Sequence, residues 1–307
     1  MGEALRIGFV GASGMMGHGM AKNLVKKGFP LSYTVHRRDV DDLREAGAIR
    51  AESLAALGRD NDVVFICVTA ADDVAQVVTG PDGLLTDARD GLVIVDSSTS
   101  EPSVTLKLAE ACAARGVRFV DAPLSRTPKE AEAGTLNVLV GGDADTLAHI
   151  RPALESFAEN IIPIGEVGSA HAIKLLNNFV FQAQVAALSE AFAVAAKVGV
   201  DPKKLTDVMS KGLANSPLLG LMAKTLEGEY DSMAFELDNA RKDVRYYTRL
   251  AGDNGHPAPV GAGVHETLTL ASALGFGSEM VLSVVRAQEK LAGTPIRARS
   301  AAEPERG

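Results

Sequence analysis

Short apolar runs alternate with helix-spaced patterns through the first half of the chain. Six runs read as strands: RIGFVG, LSYTVH, DVVFICV, LVIVDSS, VRFVDAP and TLNVLVGG. Between them, residues 18–28, 39–46, 101–115 and 143–158 repeat apolar side chains at three- and four-residue spacing, which predicts helices. Strand–helix alternation predicts a mainly parallel sheet covered on both faces. The texture changes near Gly165. From Ser169 to Val198 alanine, leucine, valine and phenylalanine dominate, without proline or glycine. At ~1.5 Å rise per residue such a helix is about 45 Å long. Helical patterns continue over 201–212, 217–229, 235–255 and 277–292, and no strand pattern follows residue 165.

The expected fold is therefore α/β, a doubly wound parallel-sheet domain (1–165) joined by a long helix to an all-α domain (166–293). A tail over 294–307, TPIRARSAAEPERG, reads as disordered. The long helix is hydrophobic nearly all round, so it must be buried by its own domain or by a second subunit. Dimerisation through the α-domain, as a homodimer or homotetramer, is the expectation.

The first strand ends in a glycine-rich turn, Gly11, Ala12, Ser13, Gly14, Met15, Met16 and Gly17, directly before a helix. Glycine permits a tight turn and close backbone approach, and the helix start offers unpaired N–H donors and a positive dipole end. This predicts a dinucleotide pyrophosphate site, so that 1–165 is expected to be a Rossmann-type dinucleotide-binding domain and 166–293 the substrate and dimerisation domain. The spacing is G-x-x-G-x-x-G, one residue longer at the first turn than the commoner pattern. Met15 and Met16 also read as packing at the strand–helix contact. The second strand ends in His36, Arg37 and Arg38, with no carboxylate before Asp39. Arginine suits a 2′-phosphate, whereas an acidic residue there would favour a free 2′-hydroxyl. NADP is thus expected over NAD, with Arg37 as the main contact, and Asp39 keeps NAD possible.

A second chemical signal lies in GEVGSAHAIKLLNNFVFQ. Lys174 and Asn178, four residues apart, share one helix face, with Asn177 beside them among Ile173, Leu175, Leu176, Phe179 and Val180. Buried ammonium and amide groups need partners. A lysine in a partly dry cleft can exchange a proton with an alcohol as hydride leaves carbon, and Asn178 can hold the substrate. Pairing of the lysine with a carboxylate is the structural alternative. His171, one turn earlier, is a candidate for lining the cleft, and His18 for a helix-start role.

Composition excludes other classes. The chain has 307 residues, 46% hydrophobic, with a net charge of −8, which argues against nucleic-acid or membrane-surface binding. Cys67 and Cys112 have no metal-ligand spacing and read as reduced packing residues, and no histidine pairs at metal spacing. The start, MGEALRIGFV, lacks a signal-peptide pattern, and no segment approaches the roughly 18 uninterrupted apolar residues of a membrane span, so a cytoplasmic location is expected.

Several motifs together resemble the β-hydroxyacid dehydrogenases over about residues 5–290: IGFVGASGMMG, DSSTSEP, DAPLSRTPKEAEAGTL, GSAHAIKLLNN and FELDNARKD. The resemblance implies that the glycine turn, Val68, Thr69, Ser98 and Thr99 line the cofactor. It implies that Lys174 is the catalytic lysine, that Asn178 is its neighbouring amide, and that Lys242 reaches the active site. Ser125, Arg126 and Thr127 stand where the family commonly has Ser-Gly-Gly. Arg126 is similar in place to an arginine of sulfolactaldehyde reductase-like relatives, which implies a substrate-anion clamp with Thr127 as a hydroxyl donor and Asn177 nearby. Ala170 departs from a commoner glycine. The expected function is interconversion of a short anionic 3-hydroxy acid and its aldehyde or ketone. Alternatives are a semialdehyde reductase (succinic semialdehyde, glyoxylate or sulfolactaldehyde), an imine reductase, or a non-catalytic cofactor-binding protein.

Overall fold

The computed structural model describes residues 4–35 and 39–298, and the chain divides into two compact units, before and after the Lys174–Leu175 bond. The first unit holds β1 (Ile7–Val10), β2 (Leu31–Thr34), β3 (Ile49–Arg50), β4 (Val63–Ile66), β5 (Val93–Asp96), β6 (Arg118–Asp121), β7 (Leu124–Ser125), β8 (Leu136–Gly141) and β9 (Ala158–Gly165). They form one sheet in the order β3-β2-β1-β4-β5-β6-β8-β7, with β9 also on β8. Strands β3 to β6 along this path are parallel, while β8 runs antiparallel to β6 and β7. The six apolar runs appear as β1, β2, β4, β5, β6 and β8, each trimmed at its ends.

Period-two alternation distributes these strands over two cores. Phe9, Phe65 and Val95 pack on one face with Met20 and Leu24 of α1 (Met15–Lys26). Val64, Ile66 and Ile94 pack on the other. The remaining helices of this unit are α2 (Asp41–Glu45), α3 (Leu54–Asp60), α4 (Ala71–Thr79), α5 (Pro102–Ala113), α6 (Pro128–Ala133) and α7 (Ala144–Leu154). The sequence reading missed β3, β7 and β9. The first two have two residues each, and β9 (AENIIPIG) contains Pro163 and buries no residue fully, so its pattern is not that of an inner strand.

Helices α1 and α6 approach closely because Gly19 has no side chain; a Cβ there would stand 2.4 Å from the Ala131 carbonyl carbon. Asn23 Nδ2 donates to the carbonyls of Ala131 and Glu132 at 3.0 and 3.2 Å. His18 stands between Glu132 (2.6 Å) and Asp42 (2.9 Å). Burial, the largest influence on its imidazole, lowers the pKa, but the two carboxylates together raise it above the ordinary value.

Helix α8 (Ser169–Lys197) runs across the boundary into the second unit and stops before Gly199, whose φ is +83°. The second unit adds α9 (Pro202–Met209), α10 (Pro217–Thr225), α11 (Leu237–Asp253), α12 (Pro259–Ala271) and α13 (Val284–Ala292). Val185, Leu188 and Phe192 of α8 pack with Met222, Val244, Leu268 and Val285. Enclosure by its own unit is partial. Leu176, Val180 and Val194 stay exposed along α8, so of the two expected coverings its own unit supplies only part. By length and average composition α8 is apolar enough to cross a membrane. The uninterrupted-run criterion misses this because Lys174, Asn177, Asn178, Gln182 and Gln184 break it.

The expected disordered tail needs correction at its start. Ile296 is 1% exposed in the core of the second unit, its N–H donates to Glu289 Oε1 at 2.9 Å, and Ala298 N–H donates to the Leu226 carbonyl. Residues 299–307 lie outside the described residues.

Candidate active site

The turn after β1 requires its glycines. Gly11 has φ +94°, and a Cβ there would fall 2.0 Å from the Cys67 carbonyl oxygen. A Cβ on Gly17 would fall 2.3 Å from the Gly11 carbonyl oxygen. Gly14 donates its N–H to Gly11 O at 3.0 Å and begins α1 with no side-chain cap and no acidic residue in the first turn. Ala12 is buried, Ser13 half-buried, and Met16 packs against the sheet core. Met15 is 56% exposed, which corrects its reading as a packing residue: the first turn of α1 points it away from the sheet. A glycine-lined turn leading to an uncapped helix start fits a dinucleotide pyrophosphate.

Adjacent strand ends complete this rim. Ser98 Oγ accepts from Val68 N–H at 3.0 Å, and Ser98 N–H donates to Asp96 Oδ1 at 2.9 Å. Thus Val68-Thr69 after β4, which neighbours β1, and Ser98-Thr99 after β5, the next strand, stand together at the carboxyl ends of parallel strands, where doubly wound sheets bind nucleotides. His36, Arg37 and Arg38 lie outside the described residues. Asp39 is engaged locally. It accepts from the Tyr33 hydroxyl at 2.7 Å and the Val40 N–H at 2.9 Å, and Arg44 and Arg50 stand 3.9 and 3.8 Å away. The Tyr33 bond, chiefly, holds its carboxyl below the ordinary value. Burial pushes the Cys67 and Cys112 thiols up to about 12, so both stay protonated.

In the expected substrate loop, Ser125 ends β7 and is half-buried. Arg126 has φ +85°, the one positive φ outside glycine among the described residues. The backbone thus keeps a conformation natural to glycine although the residue is arginine. Its Nη1 donates to the Thr135 carbonyl at 2.5 Å and pairs with Glu159 of β9. Thr127 differs from expectation. Its hydroxyl donates to Glu130 and accepts from Lys129 N–H, while its backbone N–H donates to Glu130 Oε2 at 3.0 Å. Thr127 is the N-cap of α6 in a capping box. Its single hydroxyl proton goes to Glu130 in this structure. The signal was present in the sequence as Thr127-Pro128-Lys129-Glu130.

The start of α8 is held by Asp121, which the sequence reading did not assign, and by His171, which it read as a candidate for lining the cleft. Asp121, fully buried at the end of β6, accepts the N–H of Gly168 at 2.7 Å and of His171 at 2.8 Å. His171 is also fully buried; its Nδ1 meets Thr105 Oγ1 at 2.7 Å and its Nε2 meets the Ser98 carbonyl at 3.2 Å. Asp96 Oδ2 stands 3.8 Å from that Nε2, and burial, chiefly, pushes the Asp96 carboxyl up. Lys174, one turn beyond His171, is half-buried. Within the second unit, buried Asn178 donates Nδ2 to Asp243 Oδ2 at 2.7 Å, and Asp243 Oδ1 pairs with Lys242 Nζ at 3.0 Å. Asn177 Nδ2 reaches Asn178 Oδ1 at 3.4 Å. Asp243 therefore joins Asn178 and Lys242, and its place beside Lys242 in ARKD was the available clue. Lys242 Nζ also lies 5.1 Å from the Tyr246 ring centroid.

Residues 6–165 match the family model described as the NAD binding domain of 6-phosphogluconate dehydrogenase. Residues 168–287 match one described as NAD-binding of NADP-dependent 3-hydroxyisobutyrate dehydrogenase. The chain belongs to the β-hydroxyacid dehydrogenase family. It is 30% identical to 2-(hydroxymethyl)glutarate dehydrogenase of Eubacterium barkeri, over 96% of this chain and 99% of that protein. It is also 30% identical to glyoxylate/succinic semialdehyde reductase 1 of Arabidopsis thaliana, over 92% and 98%. The solved structure of Mycobacterium tuberculosis 3-hydroxyisobutyrate dehydrogenase with L-serine superposes with a TM-score of 0.82 at 26% identity, covering 92% of this chain and 99% of that one. This β-hydroxyacid dehydrogenase is an NAD(P)-dependent hydroxyacid oxidoreductase with the Rossmann-plus-helical architecture expected from its sequence.

Proposed function

We propose that this enzyme uses NADP to interconvert a short anionic 3-hydroxy acid and its aldehyde or ketone, with Lys174 as general acid and base. The observation that carries the reading is the anchoring of the Lys174 turn of α8 to the ends of β5 and β6, through Asp121 and His171. A half-buried lysine, one turn beyond a histidine bonded to the Ser98 carbonyl, suits proton exchange with a hydroxyl, as the neutral amine in oxidation and as the ammonium in reduction. The nicotinamide, when bound, supplies or accepts the hydride at the carbinol carbon. In oxidation Lys174 takes the hydroxyl proton; in reduction it returns one to the forming alkoxide. Asn178, oriented by Asp243, offers its remaining amide valences to the substrate, with Asn177 and Lys242 alongside.

Ser125 and the Arg126 guanidinium hold the substrate anion. Both recorded Arg126 contacts use Nη1, so the other edge of its fork serves the anion, weakened by the Glu159 charge. Arg126→Gly should raise KM for anionic substrates about fivefold, the worth of roughly 1 kcal/mol of hydrogen bonding. Thermal stability should hold, since glycine adopts a φ of +85° without strain. Steady-state kinetics and a thermal melt check both; an unchanged KM across substrates would restrict Arg126 to its ion pair with Glu159.

The NADP preference rests on Arg37 and Arg38, and on Asp39 being tied to Tyr33 and flanked by Arg44 and Arg50. Initial rates on a panel of 3-hydroxy acids and aldehydes with both cofactors test the whole reading. The expected result is higher kcat/KM with NADP and with anionic substrates, and equal or better turnover with NAD would overturn the cofactor choice. The similarity to the Arabidopsis reductase supports a second reading, reduction of a semialdehyde as the main direction. Exposed Leu176, Val180 and Val194 on α8 support pairing of two chains, and sedimentation equilibrium giving a single-chain mass would remove it.

A further inference from the structure

We propose that His171 is a positioning residue for hydride transfer, a buried crosslink that makes the turn bearing Lys174 and the Ser97–Thr99 loop move as one body. The proposal rests on the reading of Lys174 as the acid–base group and of Ser98-Thr99 as a cofactor loop.

The geometry is specific. The imidazole side chain is 0% exposed and reaches two different elements at once. Its Nε2 faces a backbone carbonyl, Ser98 O, at 3.2 Å. A carbonyl has no proton to give, so Nε2 carries hydrogen and donates. Its Nδ1 meets Thr105 Oγ1 at 2.7 Å, in the first turn of α5. Its own backbone N–H is taken by Asp121 at 2.8 Å. Three bonds thus join β5, β6 and α5 to a single residue of α8. Lys174 follows three residues later, on an adjacent helical turn.

A packing histidine needs none of this. An apolar residue of similar size would fill the same space, at the cost of leaving the Ser98 carbonyl and the Thr105 hydroxyl without this partner. What the imidazole adds is a directional link between the Lys174 turn and the backbone beside Thr99. A proton acceptor and a hydride acceptor must be set together against one carbinol, and misplacement of either by about 1 Å can cost on the order of 10²-fold in rate. Asp121 alone fixes the helix end, but it does not touch the Ser98 loop. His171 bonds to both.

The test uses the full-length enzyme with its dinucleotide and the best hydroxy-acid substrate. His171→Ala should lower kcat about 10- to 100-fold, while substrate KM and dinucleotide Kd stay within about threefold. The deuterium isotope effect on kcat with carbinol-deuterated substrate should grow, because hydride transfer becomes slower than product release. His171→Gln, whose amide can still donate to Ser98 O, should recover most of the loss. Should the alanine variant fail to fold, Thr105→Val, which removes the Nδ1 partner together with the Thr105 bond to the Glu101 carbonyl, should show the same split in smaller measure. A kcat within about twofold of wild type in the folded variants, or a glutamine variant no better than alanine, overturns the proposal. Lys174→Ala separates the two readings. Normal turnover in that variant removes the acid–base assignment itself. A turnover loss there with unaffected His171 variants removes only the crosslink.

Discussion

Replacement of Lys174 by alanine is expected to lower kcat by roughly 10²–10⁴, or about 3–5 kcal/mol of transition-state stabilisation. The reason is proton bookkeeping at one atom. As hydride leaves the carbinol carbon, the hydroxyl proton must go to a base that is already in place, and water in a half-dry site is a poor substitute. Lys174 is half-buried on α8, in a turn that Asp121 and His171 fix against the sheet. Lys174→Arg should be nearly as slow, because a guanidinium keeps the charge but does not release its proton at working pH. Substrate KM should change little in either variant, which separates lost chemistry from lost binding. Steady-state kinetics on both variants check this. An arginine variant that works as well as wild type would reduce the role of Lys174 to electrostatics.

Gly11→Ala should do the most damage to folding and cofactor binding together. The new Cβ would stand 2.0 Å from the Cys67 carbonyl oxygen, at a residue whose φ is +94°. Strain from the backbone conformation and displacement of β4 together should cost about 2–5 kcal/mol. That is a large part of the 5–15 kcal/mol by which a typical domain is stable. The melting temperature should fall by roughly 5–15 °C, and the dinucleotide Kd should rise, since Gly14 and Gly17 are set by the same turn. Gly28→Ala is the control. Its φ is +88° but a Cβ there meets nothing within 4 Å, so only the conformational strain, about 1–2 kcal/mol, remains. Thermal melts and dinucleotide titrations of the two variants measure the difference. Equal losses would mean that the close approach to Cys67 is relieved at no cost.

Much of the fold could be read along the chain because burial leaves a periodic trace. Phe9, Phe65 and Val95 sit on one face of their strands and Val64, Ile66 and Ile94 on the other, as alternation requires of inner strands. The mostly apolar stretch after Gly168, free of proline and glycine, became α8, and the glycine turn became the entry to α1. Strand β9 escaped because an exposed edge strand carrying Pro163 needs no apolar period. Thr127 was read for its hydroxyl, although Glu130 three residues later marks it as a helix cap. Ile296 was read as tail because one apolar residue among polar ones has no period, yet it is buried against the second unit.

What sequence alone determined here is what local covalent chemistry dictates. Gly11 permits a tight turn, Lys174 and Asn178 share one helix face, and alternating runs bury both faces of a parallel sheet. Tertiary structure decided which distant groups meet. Asp121 reaches across 47 residues to cap α8 at Gly168, His171 finds Ser98 across 73, and Asp243 orients Asn178 across 65. Carboxylates and imidazoles carry no periodic signal, and their partners are chosen by the closing of the chain, where each buried donor must find an acceptor.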